Sequence, residues 1–446
     1  MIQKKIAVVG AGLVGGLWAI YLAKRGHHVR VFDRRPDIRK MKVVQGKSIN
    51  LALSDRGWKG LIGAGIEEEI RKVALPMSGR LMHAKDGTLT YQPYGKDGQA
   101  IFSVSRGLLN QTLLHCADKY EHVELVFNQR CLDLDLKNNA LSFINDETGE
   151  SNTESFDHIF GTDGAFSAVR SRLTKLDRHE YAQSYLDHGY KELEIPANPD
   201  GTHRMRNDCL HIWPRGEFMM IALPNIDGSF TCTLFIAFEG TYSLENLRTP
   251  DAVTAFFKEH FPDALEMMPE LTSDFFANPD ASLVMIRCNP WHYQDKVCLL
   301  GDAAHAIVPF YGQGMNAGFE DCTILDRMMN EMGNDFSKIF PTFSKERKPA
   351  GDAILELALR NYIEMRDKTA DQDFLLQKKI EARFSAKHPD KWIPLYSQVT
   401  FSHIPYQEAL KNGDRQQAIM NKVMSTPDIA SKWDSDEVEQ QILELL

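Results

Sequence analysis

A carboxylate and the glycines that follow it are the residues of this chain best suited to hold a polar cofactor. Asp302 comes directly after the apolar segment 297–300, and Gly312 and Gly314 stand in the loop beyond it. A carboxylate at the end of a buried strand can accept hydrogen bonds from a polyol, and glycines let backbone N–H groups approach an electron-rich ligand. Flavin cofactors need both features. The alternative is an ordinary strand–loop–helix connection.

A second motif, at the amino terminus, is typical of sites that bind the pyrophosphate of a dinucleotide. Gly10, Gly12 and Gly15 form a G-x-G-x-x-G pattern between a predicted strand and a predicted helix. The first glycine permits a tight turn, the second lets the backbone approach the pyrophosphate, and the third allows close packing of helix on strand. Asp33 ends the next predicted strand, 28–32, where an acid can accept hydrogen bonds from ribose. We therefore expect a Rossmann-type βαβ unit.

The segment 6–23 has a competing interpretation, because it carries no charge and follows two lysines. Such a stretch also resembles a signal peptide or a transmembrane helix. Its four glycines, and the βαβ pattern that continues beyond it, favour the nucleotide-binding interpretation. The acidic stretch 431–446 lacks a long apolar run, so we expect no membrane anchor there.

Composition and charge exclude several classes of function. A chain of 446 residues has room for roughly two or three packed units, and a formal net charge of −10 argues against a general nucleic-acid-binding protein. The seven cysteines are scattered without a C-x-x-C pair, which is typical of a reducing compartment. Patterns typical of a metal site or of a hydrolase nucleophile are missing from the sequence. We expect a soluble cytoplasmic enzyme without a metal.

Basic residues cluster after the expected ribose-binding acid, at Arg34, Arg35, Arg39 and Lys40. Such a run is usually a solvated face. Next to an acid that faces ribose, it could also attract an anionic nucleotide.

The order of the predicted elements indicates an α/β fold with an inserted β-rich unit and a helical end. The assigned units are a discontinuous Rossmann-type FAD-binding domain at 1–74, 100–178 and 285–330, a β-sheet substrate domain at 75–99 and 179–284, and a helical carboxyl-terminal region at 331–446. The chain carries one dinucleotide fingerprint. A nicotinamide cofactor would therefore visit transiently to reduce the flavin, unless a separate reductase supplies the electrons.

Three motifs, at 10–15, 161–170 and 301–316, resemble in order and spacing those of the group A flavoprotein monooxygenases, the single-component FAD aromatic hydroxylases. The resemblance covers at least residues 1–330. It is most specific to the branch that hydroxylates L-kynurenine, and it then extends into the carboxyl-terminal helices. The further segments that carry this closer match are 48–57, Arg80, Tyr94, 228–235 and 360–367.

The resemblance implies a site for FAD built from both glycine motifs. The residues that it assigns to this site are Gly10, Gly12, Leu13, Gly15, Asp33, Arg34, Arg35, Ala52, Arg106, Asp163, Asp302, Gly314, Met315 and Asn316. Asp163 belongs to a motif associated with both FAD and the visiting NADPH. Tyr311 stands at a loop position where related enzymes vary, which leaves its effect on substrate entry open.

The resemblance also implies a substrate site that recognises the amino-acid end and the ring of L-kynurenine separately. Arg80, Tyr94, Asn361 and Tyr396 are assigned to the amino-acid end, and Phe230, Pro309, Phe310 and Met365 to the ring. An arginine suits a carboxylate because its planar fork binds two oxygens at once. The residues alone leave other roles open: a surface ion pair for the arginine, and plain core positions for the tyrosines, the phenylalanines and the methionine.

The implied reaction uses NADPH and O2, and a flavin C4a-hydroperoxide hydroxylates the ring. Because the amino group of the substrate activates the neighbouring carbon, we assign no catalytic base. The alternative from another functional class is a flavin-bound redox or regulatory protein that does not oxygenate a substrate. Eukaryotic members of the family carry a membrane anchor, so we expect a cytoplasmic bacterial form. The sequence leaves the oligomeric state open, a homodimer included.

Overall fold

Strands and helices alternate through the first part of the chain, and helices follow one another at its end, in a computed structural model that describes residues 3–41, 49–94, 98–364 and 371–446. The strands are β1 (Lys5–Val9), β2 (His28–Phe32), β3 (Asn50–Leu53), β4 (Ala74–Met77), β5 (Gly79–His83), β6 (Leu89–Pro93), β7 (Ile101–Ser105), β8 (Val123–Val126), β9 (Gln129–Asp135), β10 (Ala140–Asn145), β11 (Ser151–Ser155), β12 (His158–Gly161), β13 (Glu180–Ile195), β14 (Cys209–Pro214), β15 (Met219–Pro224), β16 (Phe230–Ala237), β17 (Ala281–Asn289), β18 (His292–Tyr293) and β19 (Val297–Leu299). The helices are α1 (Leu13–Lys24), α2 (Asp55–Ala64), α3 (Glu67–Arg71), α4 (Arg106–Ala117), α5 (Ala168–Leu173), α6 (Pro250–His260), α7 (Pro262–Leu265), α8 (Leu271–Ala277), α9 (Asp302–His305), α10 (Gly314–Met332), α11 (Phe336–Ile363), α12 (Gln372–Lys387), α13 (Leu395–Thr400), α14 (Tyr406–Met424), α15 (Ile429–Lys432) and α16 (Asp436–Leu445).

The first sheet, called here the nucleotide sheet, has the strand order β18-β19-β12-β1-β2-β8 and is parallel except at the β18–β19 pair. Its strand β1 is apolar on both faces, as expected for a parallel sheet that helices cover on both sides. Helix α1 packs on this sheet, and the ring of Trp18 meets Phe160 of β12 edge to face at 5.2 Å. The expected Rossmann-type unit is therefore present.

A second sheet, called here the substrate sheet, has the strand order β17-β13-β16-β15-β14-β5-β6. Strands β5 and β6 enter it from far earlier in the sequence, through parallel pairing of β5 with β14. Its strand β13 runs for 16 residues and pairs with β17 along its first part and with β16 along its second. Residues 79–93 and 180–289 thus share one sheet.

The structure differs from the prediction between 179 and 284. This span was assigned to a β-rich unit, but besides its strands it contains the helices α6, α7 and α8. Helix α6 begins where Thr249 accepts a hydrogen bond from the N–H of Ala252 and Pro250 occupies the first turn, which is a standard start signal for a helix. Strand β17 also runs across the expected boundary at 284/285. The exact division into domains stays a prediction.

The predicted fold class is confirmed: an α/β chain with a flavoprotein-type nucleotide sheet, a substrate sheet and a helical carboxyl-terminal region. Helices α10 and α11 lead from the nucleotide sheet into this region. Helix α11 packs against α14 and against the 3₁₀ turn Pro309–Tyr311 of the second glycine motif. The last quarter of the chain therefore reaches back to the loop that the sequence singled out.

Candidate active site

A cavity of about 350 Å³ lies between the nucleotide sheet and the substrate sheet. Its size is within the usual range for a small-molecule site. Eleven of the residues assigned from the sequence line it: Gly12, Leu13, Ala52, Arg80, Arg106, Asp302, Pro309, Phe310, Gly314, Met315 and Tyr396. Both glycine motifs and the carboxyl-terminal helix α13 therefore meet at one place.

The glycine turn before α1 has the shape of a cradle for a phosphate group. Gly10 has a φ of +106°, and a Cβ there would lie 2.5 Å from the carbonyl oxygen of Thr162. A Cβ on Gly15 would lie 1.9 Å from the carbonyl oxygen of Gly10, so helix and strand can approach only without side chains. At Gly12 a Cβ would meet nothing within 4 Å, and this residue faces the cavity. The first N–H groups of α1 have no side-chain cap, which suits an anionic ligand.

Asp33 lies beside this turn and stabilises it through hydrogen bonds. Its Oδ2 accepts a hydrogen bond of 2.9 Å from the N–H of Ala11, and its Oδ1 accepts one of 2.9 Å from the N–H of Arg35. The Arg35 guanidinium donates to both oxygens, and this pairing raises the pKa of Arg35. Asp33 and Arg35 do not line the cavity, and Arg34 is exposed. The acid thus holds the turn, and these four hydrogen bonds occupy both of its oxygens, so its assignment to ribose stays a prediction.

Asp302 reaches the cavity from the end of β19. The turn before it depends on Gly301, whose φ of +57° favours glycine and whose Cβ would lie 2.9 Å from the side chain of Val14. The Asp302 side chain is exposed to the cavity, whose surrounding walls raise the pKa of its carboxyl, and the nearby Arg106 guanidinium opposes this shift only in part. A carboxylate among few other polar groups gains most from a ligand that donates hydrogen bonds, such as a ribityl chain.

The loop between Asp302 and α10 is fixed by Asn316, which is fully buried and does not line the cavity. Its Nδ2 donates to the carbonyl oxygens of Ala52 and Gly312, each at 2.8 Å. Its Oδ1 accepts the N–H of Ser54 at 2.9 Å. Both Nδ2 hydrogens and the Oδ1 of Asn316 are thus engaged by backbone groups, so this side chain fixes the loop to β3. Gly314 and Met315 face the cavity.

The half-buried guanidinium of Arg80 lines another part of the cavity wall. The Cζ of Arg80 lies 4.4 Å from the ring centroid of Tyr396 and 5.3 Å from that of Tyr94. The ring of Tyr396 stacks on Tyr94 at 5.5 Å and on Tyr311 at 5.7 Å. Burial lowers the pKa of Arg80, but the two neighbouring tyrosines outweigh it and raise that pKa above its ordinary value. The charge therefore persists inside the protein.

Arg80 has no ion-pair partner within the described parts of the chain, and its Nε has no hydrogen-bond acceptor there. The hydroxyl of Tyr94 likewise lacks a partner among those residues. Buried donors without partners are costly, because each has lost its hydration. Arg80 lines the cavity, whereas Tyr94 does not line it and packs against Arg80 and Tyr396; the guanidinium gives this part of the wall the chemistry that suits a carboxylate.

The remaining wall of the cavity is apolar and comes largely from the substrate sheet. The side chains that share this role are Leu210, Met219, Ile221, Leu223, Phe235 and Leu283. Phe310 completes it, with its ring 4.8 Å from Phe235. The Nδ2 of Asn361 donates to the carbonyl oxygen of Phe310 at 2.7 Å, so this asparagine fixes the loop and does not line the cavity. Met365 lies outside the described residues.

Phe230 does not reach the cavity, contrary to its assignment to the ring pocket. Its side chain is fully buried on the opposite face of the substrate sheet, 5.4 Å from the rings of His203 and His211. Successive side chains of a strand point to opposite faces, so a residue an odd number of positions away faces the cavity instead. Phe235 of the same strand occupies that place.

Asp163 also lies off the cavity, although Thr162 and Gly164 on either side of it line the wall. Its Oδ2 accepts the N–H of Ala168 at 2.7 Å and that of Val169 at 3.3 Å, at the start of α5. Burial raises the pKa of this carboxyl. Asp163 therefore caps a helix and shapes the adjacent stretch of wall.

One group of charged residues escaped the sequence analysis altogether. Arg56, Glu320, Asp321, Arg347 and His305 form ion pairs and hydrogen bonds beneath the loop that carries Asp302. Two adjacent acids, Glu320 and Asp321, in the largely apolar first half of α10 were the available signal, since buried carboxylates require partners.

Among the described residues, we find no group of three or more metal-ligating side chains that could hold an ion. Within the same residues, none of the helices has the length and apolar character needed to cross a bilayer.

Known proteins resemble this chain over nearly its whole length. Residues 3–358 match the family described as FAD binding domain. The kynurenine 3-monooxygenase of Flavobacterium johnsoniae is 54% identical over 99% of this chain and 98% of its own. The enzyme of the same name from Dictyostelium discoideum is 46% identical over 96% of this chain and 95% of its own, and that of Sus scrofa 43% over 95% and 89%.

Solved structures share the fold at low identity. A tetrameric form of 2-methyl-3-hydroxypyridine-5-carboxylic acid oxygenase superposes with a TM-score of 0.68 and 18% identity, over 88% of this chain and 99% of the other. PqsL from Pseudomonas aeruginosa, in complex with 2-aminobenzoylacetate, has a TM-score of 0.64 and 18% identity, over 82% and 97%. The overall arrangement of the two sheets is therefore that of flavoprotein oxygenases.

Proposed function

Since the chain belongs to the kynurenine 3-monooxygenase family of FAD-dependent aromatic monooxygenases, we propose that it hydroxylates L-kynurenine to 3-hydroxy-L-kynurenine. The balanced reaction consumes kynurenine, O2, NADPH and one proton, and it yields the hydroxylated product, NADP⁺ and water. One oxygen atom enters the ring and the other leaves as water. The supporting observations are the family relationship and the chemistry of the cavity.

The single observation that supports this choice of substrate is the position of Arg80. Arg80 lines the cavity next to Tyr396, and its Nε and the hydroxyl of the adjacent Tyr94 have no hydrogen-bond partner among the described residues. A carboxylate accepts two hydrogen bonds from a guanidinium and one from a phenol hydroxyl, which would satisfy these donors together. The α-carboxylate of kynurenine supplies that group, and the apolar wall around Phe310 and Phe235 suits its aromatic ring.

FAD, when bound, supplies the reduction of dioxygen and the transfer of one of its oxygen atoms to the ring. The residues suited to hold it are Gly12 and the first N–H groups of α1 for the pyrophosphate, and Asp302 for the ribityl hydroxyls. Gly314 and Met315 border the cavity where the flavin ring would lie. NADPH has no dedicated Rossmann unit in the described residues and reaches the flavin as a visiting co-substrate.

The protein's own part in the reaction is to orient the substrate and to exclude water. The ring amino group donates electron density to the neighbouring carbon, so the described cavity wall needs no strong base. Arg80 fixes one end of the substrate, and the apolar wall dehydrates the other. Keeping water out matters because water diverts reduced oxygen to hydrogen peroxide.

The test compares two ligands on the same FAD-loaded enzyme. L-Kynurenine is expected to accelerate NADPH oxidation and to yield 3-hydroxykynurenine. Kynuramine, which has the same ring and amine but no α-carboxylate, is expected to bind far more weakly. Unchanged NADPH oxidation with kynurenine would refute the proposed reaction. Equal affinity for the two ligands would refute the role of Arg80.

A further inference from the structure

Five polar side chains, called here the ionic chain, run beneath the cavity: the buried Arg56, Arg347, Asp321 and His305, and the half-buried Glu320. The Nη1 of Arg56 donates to Glu320, and the Nη1 of Arg347 donates to the other oxygen of Glu320 at 2.9 Å. The Nε of Arg347 donates to Asp321 at 2.9 Å, and the Nε2 of His305 donates to Asp321 at 2.7 Å. Two guanidinium groups thus balance two carboxylates.

One end of the ionic chain holds the flavin side of the cavity. The Oδ2 of Asp321 accepts the N–H of Gly301 at 2.9 Å, directly before Asp302. Burial by itself raises the pKa of Asp321, but His305 and Arg347 outweigh it and keep that pKa below its usual range. The carboxylate therefore stays charged, and it fixes the turn from which Asp302 enters the cavity.

The other end holds the substrate side. The Nε of Arg56 donates to the carbonyl oxygen of Val399 at 3.3 Å, and its Nη2 donates to that of Ile404. Val399 is in the last turn of α13, where carbonyl groups lack partners within the helix and attract a cation. The same helix carries Tyr396, which lines the cavity beside Arg80.

A ring contact ties the ionic chain to the loop as well. The Arg56 guanidinium lies 4.1 Å from the ring centroid of Tyr406, whose hydroxyl donates to the Oε1 of Gln313 at 2.9 Å. Gln313 directly precedes Gly314. Arg56 is 1% exposed and Asp321 0% exposed, so little water reaches these two side chains.

We infer that Glu320 is a positioning residue that sets the distance between the substrate carboxylate subsite and the flavin pocket. Through Arg56 it holds α13 and Tyr396, and through Arg347 and Asp321 it holds the turn at Asp302. Removing its charge leaves two buried guanidinium groups with one carboxylate between them, so the contacts of Arg56 rearrange. The consequence for the reaction rests on the proposed function. A more mobile α13 lowers the affinity for kynurenine and lets water reach the flavin.

The experiment uses the FAD-loaded enzyme with Glu320→Gln, which keeps the size of the side chain and removes its charge. The matched control is Glu346→Gln, because Glu346 also pairs with an arginine, Arg327, but at the surface. For Glu320→Gln we expect faster amide hydrogen exchange in α13, a kynurenine Kd raised about tenfold or more, and a larger share of NADPH diverted to hydrogen peroxide. The control should match the parent in all three.

Three outcomes overturn the inference: exchange in α13 equal to that of the parent, an unchanged kynurenine Kd, or an unchanged peroxide share. A lower melting temperature alone would indicate an ordinary structural residue. If Glu320→Gln does not fold, Arg56→Lys retains the charge but cannot reach Glu320, Val399 and Ile404 together, and the same expectations apply. Should the parent enzyme fail to hydroxylate kynurenine, the proposed function falls, while hydrogen exchange in α13 still decides the role of Glu320.

Discussion

Replacing Arg80 by methionine separates substrate recognition from stability. The variant keeps a long side chain and removes the guanidinium that the tyrosines of the carboxylate subsite surround. Losing one partner of a buried, hydrogen-bonded charge pair costs about 2–5 kcal/mol. At about 1.4 kcal/mol for each factor of ten, the Kd for kynurenine should rise from about thirtyfold to several thousandfold.

The free energy of unfolding should change far less, since two opposing effects meet at this site. The variant loses two contacts between the guanidinium and aromatic rings, at 4.4 and 5.3 Å, each worth about 0.5–2 kcal/mol. It also removes a buried Nε that has no acceptor in the described residues, a donor whose dehydration costs about 1–3 kcal/mol. These terms are similar in size and opposite in sign, so the net change should stay within about 1–2 kcal/mol.

The assay is calorimetric titration of kynurenine and of kynuramine into the parent and into Arg80→Met, with FAD content and the melting temperature recorded for each. The variant should lose the preference for kynurenine and keep its FAD. Arg206→Met is the control, because Arg206 lies over Tyr91 at 4.8 Å but is half-exposed and paired with Asp208. A variant that binds kynurenine as tightly as the parent, or one that loses FAD, would refute the assignment of Arg80.

Further predictions concern the flavin pocket and the response to acid. Gly12→Ala should fold normally but bind FAD at least about tenfold more weakly in a titration of the apoprotein, whereas Gly15→Ala should fail to fold because its Cβ would lie 1.9 Å from a backbone oxygen. The Asp302 side chain is exposed to the open cavity, so Asp302→Asn should leave the melting temperature of the FAD-free protein close to that of the parent, whereas FAD should bind about tenfold or more weakly in the same titration because a charged acceptor for the ribityl hydroxyls is lost. Burial lowers the pKa of His27 to about 4, so its contribution to stability is lost as the pH falls from about 6.5 to about 4. In the parent, the free energy of unfolding should fall on the order of 3 kcal/mol further between these pH values than in His27→Gln, as measured by urea unfolding. If the free energies of unfolding of the parent and the variant fall in parallel, the assignment is wrong.

Local patterns predicted the nucleotide-binding half of the site, because its geometry depends on neighbours in sequence. The turn from β1 to α1 needs glycine at 10 and 15 for steric reasons that lie within a few residues. Asp302 is placed by the strand just before it. In each case a strand, a turn and a helix in fixed order determine where the side chain points.

Interactions between distant segments are what the sequence could not disclose. Strand β16 carries a phenylalanine on each face, Phe230 on one and Phe235 on the other, so its pattern does not reveal which of them faces the cavity; the packing of the sheet decides it. Arg56 and Glu320 stand 264 positions apart, and their pairing follows only from how α2 and α10 pack. The meeting of Arg80 with Tyr396 came from resemblance to a family rather than from any local signal.

The uncharged segment at the start of the chain has a consequence for synthesis. In the folded protein every residue of α1 from Gly15 to Ala23 is buried. Part of its cover arrives early, because α4 ends at residue 117, but β12 ends only at 161 and α10 at 332. One face of this apolar helix therefore stays exposed until most of the chain has been synthesised, and chaperones that shield nascent apolar chains should raise the yield of native protein. Release of the chain before residue 332 should leave a product that aggregates.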